Sequence, residues 1–504
     1  MTQARTRLIG LAAFFALLSG CGGGLITTVG PDYQTPASPA ASRWQAPTPD
    51  LVLAHGGDPA ALKQWWEGFN DPVLSRFLET AQRESANVAE AHARIVEARA
   101  GLTGAEAAGL PALDGSMDAT RSSFSFGGPA YLRNQYQVGL QSNWEVDLFG
   151  GIARQRQAAQ SQVERRTAAW HDARVAVAVE VADAYLAYRL CEALVDLTEA
   201  DAISRRESAR LTEIAKLAGL RSPADAALAH ASAADGQDSL LRQQSQCERS
   251  IKGLVALTGL GESEVRHRLT ATPERAARMP TPPPFGLKGL PAQVLMQRPD
   301  VAAAERDVAE ASAKIGVEEA KFYPRLSLSG NITPSLQDLN SSTLALVETW
   351  SFGPTLRLPI FDAGKRSADL AAAQARYEAA VSRFRSTVRT AAKEVEESLV
   401  RLRNSEERLP QARAAAQGYR VNFQATEQLY RAGFGNLIDT EASRRQSLAS
   451  DRAVAELEQE HAAAWIALYR AAGGAWEDAN ANPAESAAPA PSTQTSKPPR
   501  SGES

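Results

Sequence analysis

The chain has 504 residues, of which 44% are hydrophobic and 22% are charged, and its mean hydropathy is −0.28. With 54 Lys and Arg against 58 Asp and Glu, the formal net charge is −4, which disfavours nucleic acid as a partner. After the N-terminal leader no apolar run reaches the roughly 18 residues of a membrane-spanning helix, so a helical membrane protein is excluded and strands must make any crossing.

Residues 1–20 have the features of a signal peptide. Two arginines precede the apolar stretch 8–18, and the cleavage site Leu18-Ser19-Gly20-Cys21 matches the lipobox of bacterial lipoproteins. We therefore expect lipidation of Cys21 by several acyl chains, which anchor a protein stably in lipid. The following Gly22 resembles the sorting signal for the outer membrane. The alternative is an ordinary cleavage site with a chance cysteine.

Alternation of apolar and polar residues predicts four strands, at about 112–126, 135–148, 325–334 and 350–361. The alternation is clearest over 135–148, where all but one of the even positions are apolar and the odd positions are polar or glycine. A length of about 10 residues or more suits a tilted transmembrane strand. A soluble sandwich with one wet face is the alternative for the strands alone.

Long helices account for most of the remaining sequence. Between Gly151 and Gly219 the chain contains neither glycine nor proline, which predicts a helix about 100 Å long. A turn at 219–223 returns the chain into a second helix over 224–257. A helix of this length cannot be buried in an ordinary globule, so coiled-coil or repeat packing is expected.

An internal duplication organises these elements into two copies. Residues in the first half recur 213 or 214 positions later, as in the pairs Val88 and Val301, Glu106 and Glu319, Pro111 and Pro324, Gln160 and Gln374, Gly219 and Gly433, Asp225 and Asp439, and Gly259 and Gly473. The predicted domains are a lipidated N-terminal segment (21–72), a first repeat (73–259), a Pro-rich connector (260–297), a second repeat (298–474) and a disordered tail (475–504).

Each copy is predicted to run helix, strand, strand, long helix, helix, which makes a mainly α chain with a smaller β part. Four strands cannot close a barrel, and open strand edges in lipid leave backbone groups without hydrogen bonds. Several copies of the chain must therefore share the wall, and three copies, with twelve strands, leave room for a lumen.

Several motifs resemble those of the TolC-like outer-membrane efflux channels, specifically the NodT-type lipoprotein branch. They are Val29-Gly30-Pro31-Asp32-Tyr33, Trp65-Trp66-Glu67-Gly68-Phe69, Gln297-Arg298-Pro299-Asp300-Val301, Phe322-Tyr323-Pro324-Arg325-Leu326, Ile360-Phe361-Asp362-Ala363-Gly364 and Tyr430-Arg431-Ala432-Gly433. The resemblance covers about 21–476. It implies a homotrimer in which a twelve-stranded transmembrane β-barrel continues into a long periplasmic α-helical barrel.

The function implied by this resemblance is an outer-membrane exit duct that passively exports small molecules such as drugs or other toxic compounds. The implied partners are a periplasmic adaptor and an inner-membrane pump of the resistance-nodulation-division type. The alternatives are the outlet of an ATP-driven system and a periplasmic coiled-coil scaffold lipoprotein without a pore.

An enzyme is not expected, and neither a cofactor nor a metal. The stretch Ala363-Gly364-Lys365-Arg366 resembles the end of a phosphate loop, but Pro359 and Arg366 stand where that motif requires glycine and Ser or Thr. The six histidines are scattered and form no zinc motif.

The two turns between long helices are the candidate gate. In a threefold assembly a single carboxylate at a turn becomes a ring around the periplasmic mouth. Asp439 and Glu441 are the candidate ring residues, and Arg431 and Asp225 are their candidate bridging partners. The alternative is that these acids belong to ordinary N-caps and first helical turns.

Cys191 and Cys247 each lie 28 residues from Gly219, on either side of it. If the chain folds back at that glycine into two antiparallel helices, the two cysteines lie side by side. The periplasm expected for this part of the chain is oxidising. We expect a disulfide, the alternative being two buried free thiols.

Overall fold

The computed structural model describes residues 27–41, 43–46, 62, 65–125, 127–128, 130–271, 278–287, 291–339 and 345–474. The predicted signal peptide, Cys21, the tail 475–504 and parts of the connector lie outside these residues. Across the described part of the chain, no helix combines the length and apolarity that a membrane span requires.

The first copy of the repeat begins after a short 3₁₀ helix at Trp65–Phe69. Its elements are α1 (Pro72–Glu84), α2 (Ala86–Ala107), β1 (Ala112–Phe124), β2 (Tyr131–Val146), α3 (Gly151–Leu217) and α4 (Pro223–Thr258). Two short helices, α5 (Glu262–Thr270) and α6 (Pro291–Met296), lie between the copies.

The second copy repeats the first. Its elements are α7 (Pro299–Ala320), β3 (Arg325–Leu339), β4 (Ala345–Arg357), α8 (Lys365–Arg431) and α9 (Leu437–Ala471). Helices α2 and α7 both have 22 residues, and α3 and α8 both have 67. The predicted order of elements within each copy is therefore the observed one.

Glycine permits the abrupt entry into each long helix. Gly150 and Gly364, which precede α3 and α8, have φ of 73° and 90°, in the left-handed region. The α8 helix continues through Pro410, which cannot donate a backbone hydrogen bond. The missing hydrogen bond does not end this helix of 67 residues, because packing against neighbouring helices stabilises the rest of it.

The four strands form one antiparallel sheet in the order β1-β2-β3-β4. Strand β2 pairs with β1 from Ala112↔Asn143 to Phe124↔Tyr131 and with β3 from Arg133↔Leu339 to Val146↔Leu326. Among the described residues, β1 and β4 are the edge strands. Many large apolar side chains of the sheet are exposed on the single chain, including Met117, Trp350 and Phe352.

The strand ends differ from those predicted by alternation. Strand β2 begins at 131 instead of 135 and ends at 146 instead of 148, and β3 extends to 339 instead of 334. Strand β4 covers 345–357 instead of 350–361, and β1 ends at 124, with 126 outside the described residues. Antiparallel pairing with the neighbouring strand, such as Gln337↔Ala345, extends the strands beyond the alternating stretch.

The main core lies midway along the helices, where the connector crosses them. Trp65 stacks on Tyr469 with ring centroids 4.7 Å apart, and its indole Nε1 donates to the Pro283 carbonyl oxygen at 2.8 Å. Phe285 and Trp465 are also fully buried there. This core joins the connector to both copies.

Each helical hairpin has a side-chain cross-link at the same level. In the first hairpin Cys191 and Cys247 form a disulfide, with Cα atoms 5.5 Å apart. The residues 214 positions later are Ser405 and His461, and Ser405 Oγ lies 2.9 Å from His461 Nδ1. Because Trp465 Nε1 donates to His461 Nε2 at 3.3 Å, the proton is assigned to Nδ1 of a neutral imidazole.

Acidification is expected to weaken the second hairpin through His461. Burial is the main cause that lowers the pKa of His461, and Arg413 lowers it further. At a pH between the pKa of His461 in the folded chain and its higher pKa in the unfolded chain, the unfolded chain binds more protons. Stability is therefore fully present above the unfolded pKa of about 6.5 and is lost as the pH falls through the folded value.

The measurement is the urea midpoint of the detergent-solubilised protein at about pH 7.5 and about pH 5.5, around the usual histidine pKa. The His461→Gln variant should lose less stability on acidification than the wild type. His267→Gln, which removes an exposed histidine, is the control and should behave as the wild type. Equal losses in wild type and His461→Gln would contradict the assignment.

Candidate functional site at the helix tips

Two turns form the tips at the end of the helical hairpins furthest from the sheet. Gly219 and Gly433 occupy equivalent positions with φ of 71° and 82°. In the first turn Ser222 and Asp225 form a reciprocal capping box at the start of α4. In the second, Asn436 Oδ1 accepts from the backbone N–H of Asp439 at 2.7 Å.

The two aspartates among the predicted gate residues have local capping partners. Asp439 is exposed, and its carboxylate accepts from Asn436 Nδ2 at 2.5 Å. Asp225 is half-buried and accepts from the backbone N–H of Ser222 at 3.3 Å. Both acids lie in the first turn of a helix, where a negative charge interacts favourably with the helix dipole.

The other two predicted gate residues have partners away from Asp439. Arg431 is exposed and forms an ion pair with Glu427, one helical turn earlier, at 3.2 Å. Glu441 is buried inside the helical packing. This corrects the predicted position of Glu441 at the aperture: the neighbouring hairpin covers that face of α9, which the sequence of α9 alone does not reveal.

Glu441 belongs to a buried polar cluster that joins the two hairpins. We define the tip cluster as Asp201 and Arg205 of α3, Ser232 of α4, and Glu441 and Arg444 of α9. Ser232 Oγ donates to Glu441 Oε2 at 2.6 Å, and Arg205 Nε donates to Asp201 Oδ2 at 2.6 Å. Arg444 Nη1 forms a short ion pair with Glu441 Oε1. Two carboxylates and two guanidinium groups thus neutralise one another.

Arg444 is the centre of this cluster. Its Nη2 donates to Ser204 Oγ at 3.1 Å and to Ser208 Oγ at 3.0 Å, and its Nε lies 4.0 Å from Asp201 Oδ1. The guanidinium carbon lies 5.3 Å from the centroid of the Phe423 ring. The Arg444 side chain of α9 therefore contacts both α3 and α8. These contacts fix the position of the second hairpin relative to the first.

A second contact links the hairpins closer to the turns. Tyr430 is buried, and its hydroxyl lies 2.6 Å from Thr212 Oγ1 of α3. The Arg221 guanidinium lies over the Tyr430 ring at 5.0 Å and donates to the Gly435 carbonyl oxygen at 3.3 Å. The residues that bridge the turns are therefore Tyr430 and Arg221, which sequence analysis did not identify.

The tips also expose large apolar side chains. Phe434 and Leu220, which lie in the two turns, are 86% and 77% exposed on the single chain. Leu217 and Ile438 beside them are also exposed. Large exposed apolar groups that recur in both turns are typical of a protein contact.

The N-terminal segment runs along the outside of the chain as an extended strap, defined as residues 27–41 and 43–46. The Thr27 and Val29 backbone N–H groups donate to the carbonyl oxygens of Leu148 and Phe149, just after β2, at 3.0 and 3.1 Å. Further along, the backbone N–H groups at 45 and 46 donate to the Glu396 carboxylate of α8. The strap thus extends from the sheet to the level of the core.

Buried polar side chains hold the strap in place. Arg154 donates to the carbonyl oxygens of Val29 and Gly30 at 3.0 and 2.9 Å and to the Asp32 carboxylate at 2.9 Å. The Tyr33 hydroxyl donates to Glu305 of α7. Burial, followed by this hydrogen bond, raises the pKa of Tyr33, so the phenol stays protonated and keeps donating.

The described residues contain no cluster of His, Cys, Asp and Glu able to bind a metal ion.

The outer membrane efflux protein family model matches the sequence twice, over residues 77–260 and 290–474. The chain is 29% identical over 469 residues to the solvent efflux pump outer membrane protein SrpC of Pseudomonas putida, covering 92% of this chain and 97% of the relative. It is 28% identical to nodulation protein T of Rhizobium leguminosarum bv. trifolii, covering 90% and 94%. The solved outer-membrane channel OprN is 28% identical, with a TM-score of 0.76 over 89% of this chain and 99% of that chain.

Proposed function

The chain belongs to the outer membrane efflux protein family, and from that premise we propose that three copies assemble as the exit duct of a tripartite efflux system. Such a duct provides a passage and supplies no energy. Catalysis is not part of the proposal. The relatives include a protein named for a solvent efflux pump, which supports small apolar toxic compounds as the cargo class.

The open four-stranded sheet is the observation that supports a trimer. The four strands form one sheet whose edge strands, β1 and β4, each pair on one side only within the described residues. Apolar side chains such as Met117 and Trp350 are exposed on it. In lipid, an open edge costs several kcal/mol for each unpaired backbone group, so closure through further copies is strongly favoured. Three copies supply twelve strands around a lumen.

We propose that the apolar tips bind a periplasmic adaptor, which links the duct to an inner-membrane pump of the resistance-nodulation-division type. Phe434 and Leu220 project from both turns and would be covered by such a partner. Mild crosslinking in cells, followed by purification of the chain, tests this assignment. Recovery of a transporter ATPase instead of a proton-driven pump would favour the ATP-driven alternative.

We also propose that Cys21 carries the lipid anchor. The described strap begins at Thr27, hydrogen-bonded beside the end of β2. Thr27 lies six positions after Cys21, which corresponds to at most about 20 Å of extended chain. The strap would therefore place an acylated Cys21 close to the membrane into which the sheet inserts. Mass spectrometry of the mature N-terminal peptide tests this proposal.

Asp439 is proposed to form the carboxylate ring at the mouth. Replacing Asp439 by alanine should raise the leak conductance of the trimer in planar bilayers several-fold, because three charges leave the narrowest part. Asp225→Ala is a matched control, since Asp225 has the same position in the first turn of α4 as Asp439 has in the first turn of α9. An equal increase in leak conductance in both variants would mean that the change in the first helical turn causes it. That result would reject the proposed carboxylate ring.

A further inference from the structure

The four-stranded sheet has one apolar face and one polar face. Residues directly opposite each other on neighbouring strands share a face, as Ile332 of β3 and Trp350 of β4 share the apolar one. The alternate positions in 327–337 of β3 and 347–355 of β4 are on the polar face, and apart from Val347 they hold only Ser, Thr, Asn, Gln and Gly. In the proposed trimer the apolar face contacts lipid, so the polar face lines the lumen.

Two arginines interrupt this neutral polar face at the end of the sheet nearest the long helices. Arg325 is the first residue of β3, Arg357 is the last residue of β4, and the two are directly opposite each other. They are the only charged residues on the polar face of these two strands, which lie wholly within the described residues. Like charges at directly opposite positions destabilise a sheet, so this arrangement costs stability.

The equivalent pair in the first copy of the repeat is neutral. The residue 213 positions before Arg325 is Ala112, and the residue 214 positions before Arg357 is Asn143. Ala112 and Asn143 are directly opposite each other at the same end of β1 and β2. The fold therefore forms this pair without charge. A charged pair that the fold does not need, and that costs stability, is typical of a functional site.

The two arginines are exposed, and no residue in the part of the chain that the structure describes neutralises them. Neither guanidinium group forms an ion pair or a hydrogen bond with another described residue. Strand β2 has one acid on the polar face, Glu145, which is opposite Ser327 and therefore diagonal to Arg325. Glu145 is exposed and forms no ion pair with the described residues either. The donors of both guanidinium groups are thus accessible to a ligand.

We propose that Arg325 and Arg357 form an anion-binding site in the lumen, where the strands join the long helices. The Cβ atoms of directly opposite residues lie about 5 Å apart, so two guanidinium groups can donate to one carboxylate or phosphate group. Three copies place three such pairs around the lumen, which favours anions there. The inference rests on the proposed duct and deepens it: the cargo includes amphiphilic acids, whose anionic group binds at this site during passage.

Calorimetric titration of the detergent-solubilised protein with inorganic tripolyphosphate tests the arginine pair. The Arg325→Ala/Arg357→Asn variant has the residues of the first copy, which this fold accommodates, and should bind about tenfold more weakly than the wild type. Arg325→Lys/Arg357→Lys keeps both charges and should bind with intermediate affinity, because lysine lacks the planar fork of arginine. Equal affinities in wild type and Arg325→Ala/Arg357→Asn would overturn the site.

Arg121→Ser is the control for a general effect of charge. Arg121 is an exposed arginine of the same sheet, on the apolar face, two positions after Ala119, which is opposite Tyr136. Its replacement should leave the binding of tripolyphosphate as in the wild type. A wild type that does not bind tripolyphosphate would also overturn the inference, and would mean that acids of a neighbouring copy neutralise the pair.

Planar bilayers test the position of the site in the lumen. Tripolyphosphate added on the side of the turns between strands should reduce the wild-type current, and Arg325→Ala/Arg357→Asn should need about tenfold more for the same reduction. Raising KCl from about 0.1 M to about 1 M should weaken the block, because the Debye length falls from about 10 Å to about 3 Å. A current that tripolyphosphate leaves unchanged would overturn the inference. A protein that binds tripolyphosphate but carries no current would instead contradict the proposed duct.

Discussion

Replacing Arg444 by leucine is expected to be among the most destabilising single changes at the tips. The side chain is buried and contacts Glu441, Asp201, Ser204 and Ser208. Without it, the Glu441 carboxylate remains buried with its main ionic partner gone. Removing one partner of a buried ion pair typically costs about 3–5 kcal/mol. We expect a lower urea midpoint and a raised leak conductance, because the seam between hairpins loosens.

The control is Arg445→Leu, which changes the neighbouring exposed residue and should leave both measurements close to wild type. A double variant, Glu441→Leu/Arg444→Leu, removes both charges and should recover much of the stability, since Asp201 keeps its ion pair with Arg205 at 2.6 Å. If the single variant equals the Arg445→Leu control, the tip cluster does not hold the hairpins together.

Replacing Gly30 by alanine should detach the strap. Gly30 has φ of 86°, and a Cβ at this position would lie 2.4 Å from the Gly316 Cα of α7. The backbone fixes the position of the Cβ, and the Gly316 Cα is itself a backbone atom, so rotation of a side chain cannot relieve the overlap. Undocking also takes away the two strap carbonyls and the Asp32 carboxylate that satisfy the buried Arg154. Limited proteolysis should cut the strap of this variant much faster than that of the wild type.

Gly364→Ala is the control that distinguishes the effect of steric overlap from the effect of backbone strain. Gly364 has φ of 90°, and a Cβ there would meet no atom within 4 Å. Both substitutions force a non-glycine residue into the left-handed region, at about 1–2 kcal/mol. Only Gly30→Ala should expose the strap to protease. Equal cleavage in Gly30→Ala and wild type would mean that the strap tolerates the displacement.

The sequence predicts the architecture well because the relevant signals are local or periodic. The absence of glycine and proline between Gly151 and Gly219 correctly predicts α3, and the recurrence of Gly219 as Gly433 correctly predicts both turns. Alternation locates the four strands, but their ends depend on the partner strand. Strand β3 extends to 339 because β2 pairs with it as far as Arg133↔Leu339.

The tip cluster was less accessible to prediction because its members come from three helices far apart in sequence. Glu441 appears as a first-turn acid when α9 is considered alone, and only α3 and α4 determine that it is buried. A comparison of the two copies offers one usable signal. Glu441 and Arg444 are charged where the first copy has Ala227 and His230, and such a difference between equivalent positions marks a contact present in one copy only.

The unequal cross-links within the two hairpins restrict how the helices of each hairpin can move relative to each other. The disulfide between Cys191 and Cys247 joins α3 to α4 covalently, 28 residues from Gly219 on each helix. At this level α3 and α4 cannot slide past each other. At the same level α8 and α9 are joined by a hydrogen bond between Ser405 and His461, which breaks and reforms readily. Axial sliding of one helix past another, the shear motion seen in many packed helices, is thereby confined to the second hairpin.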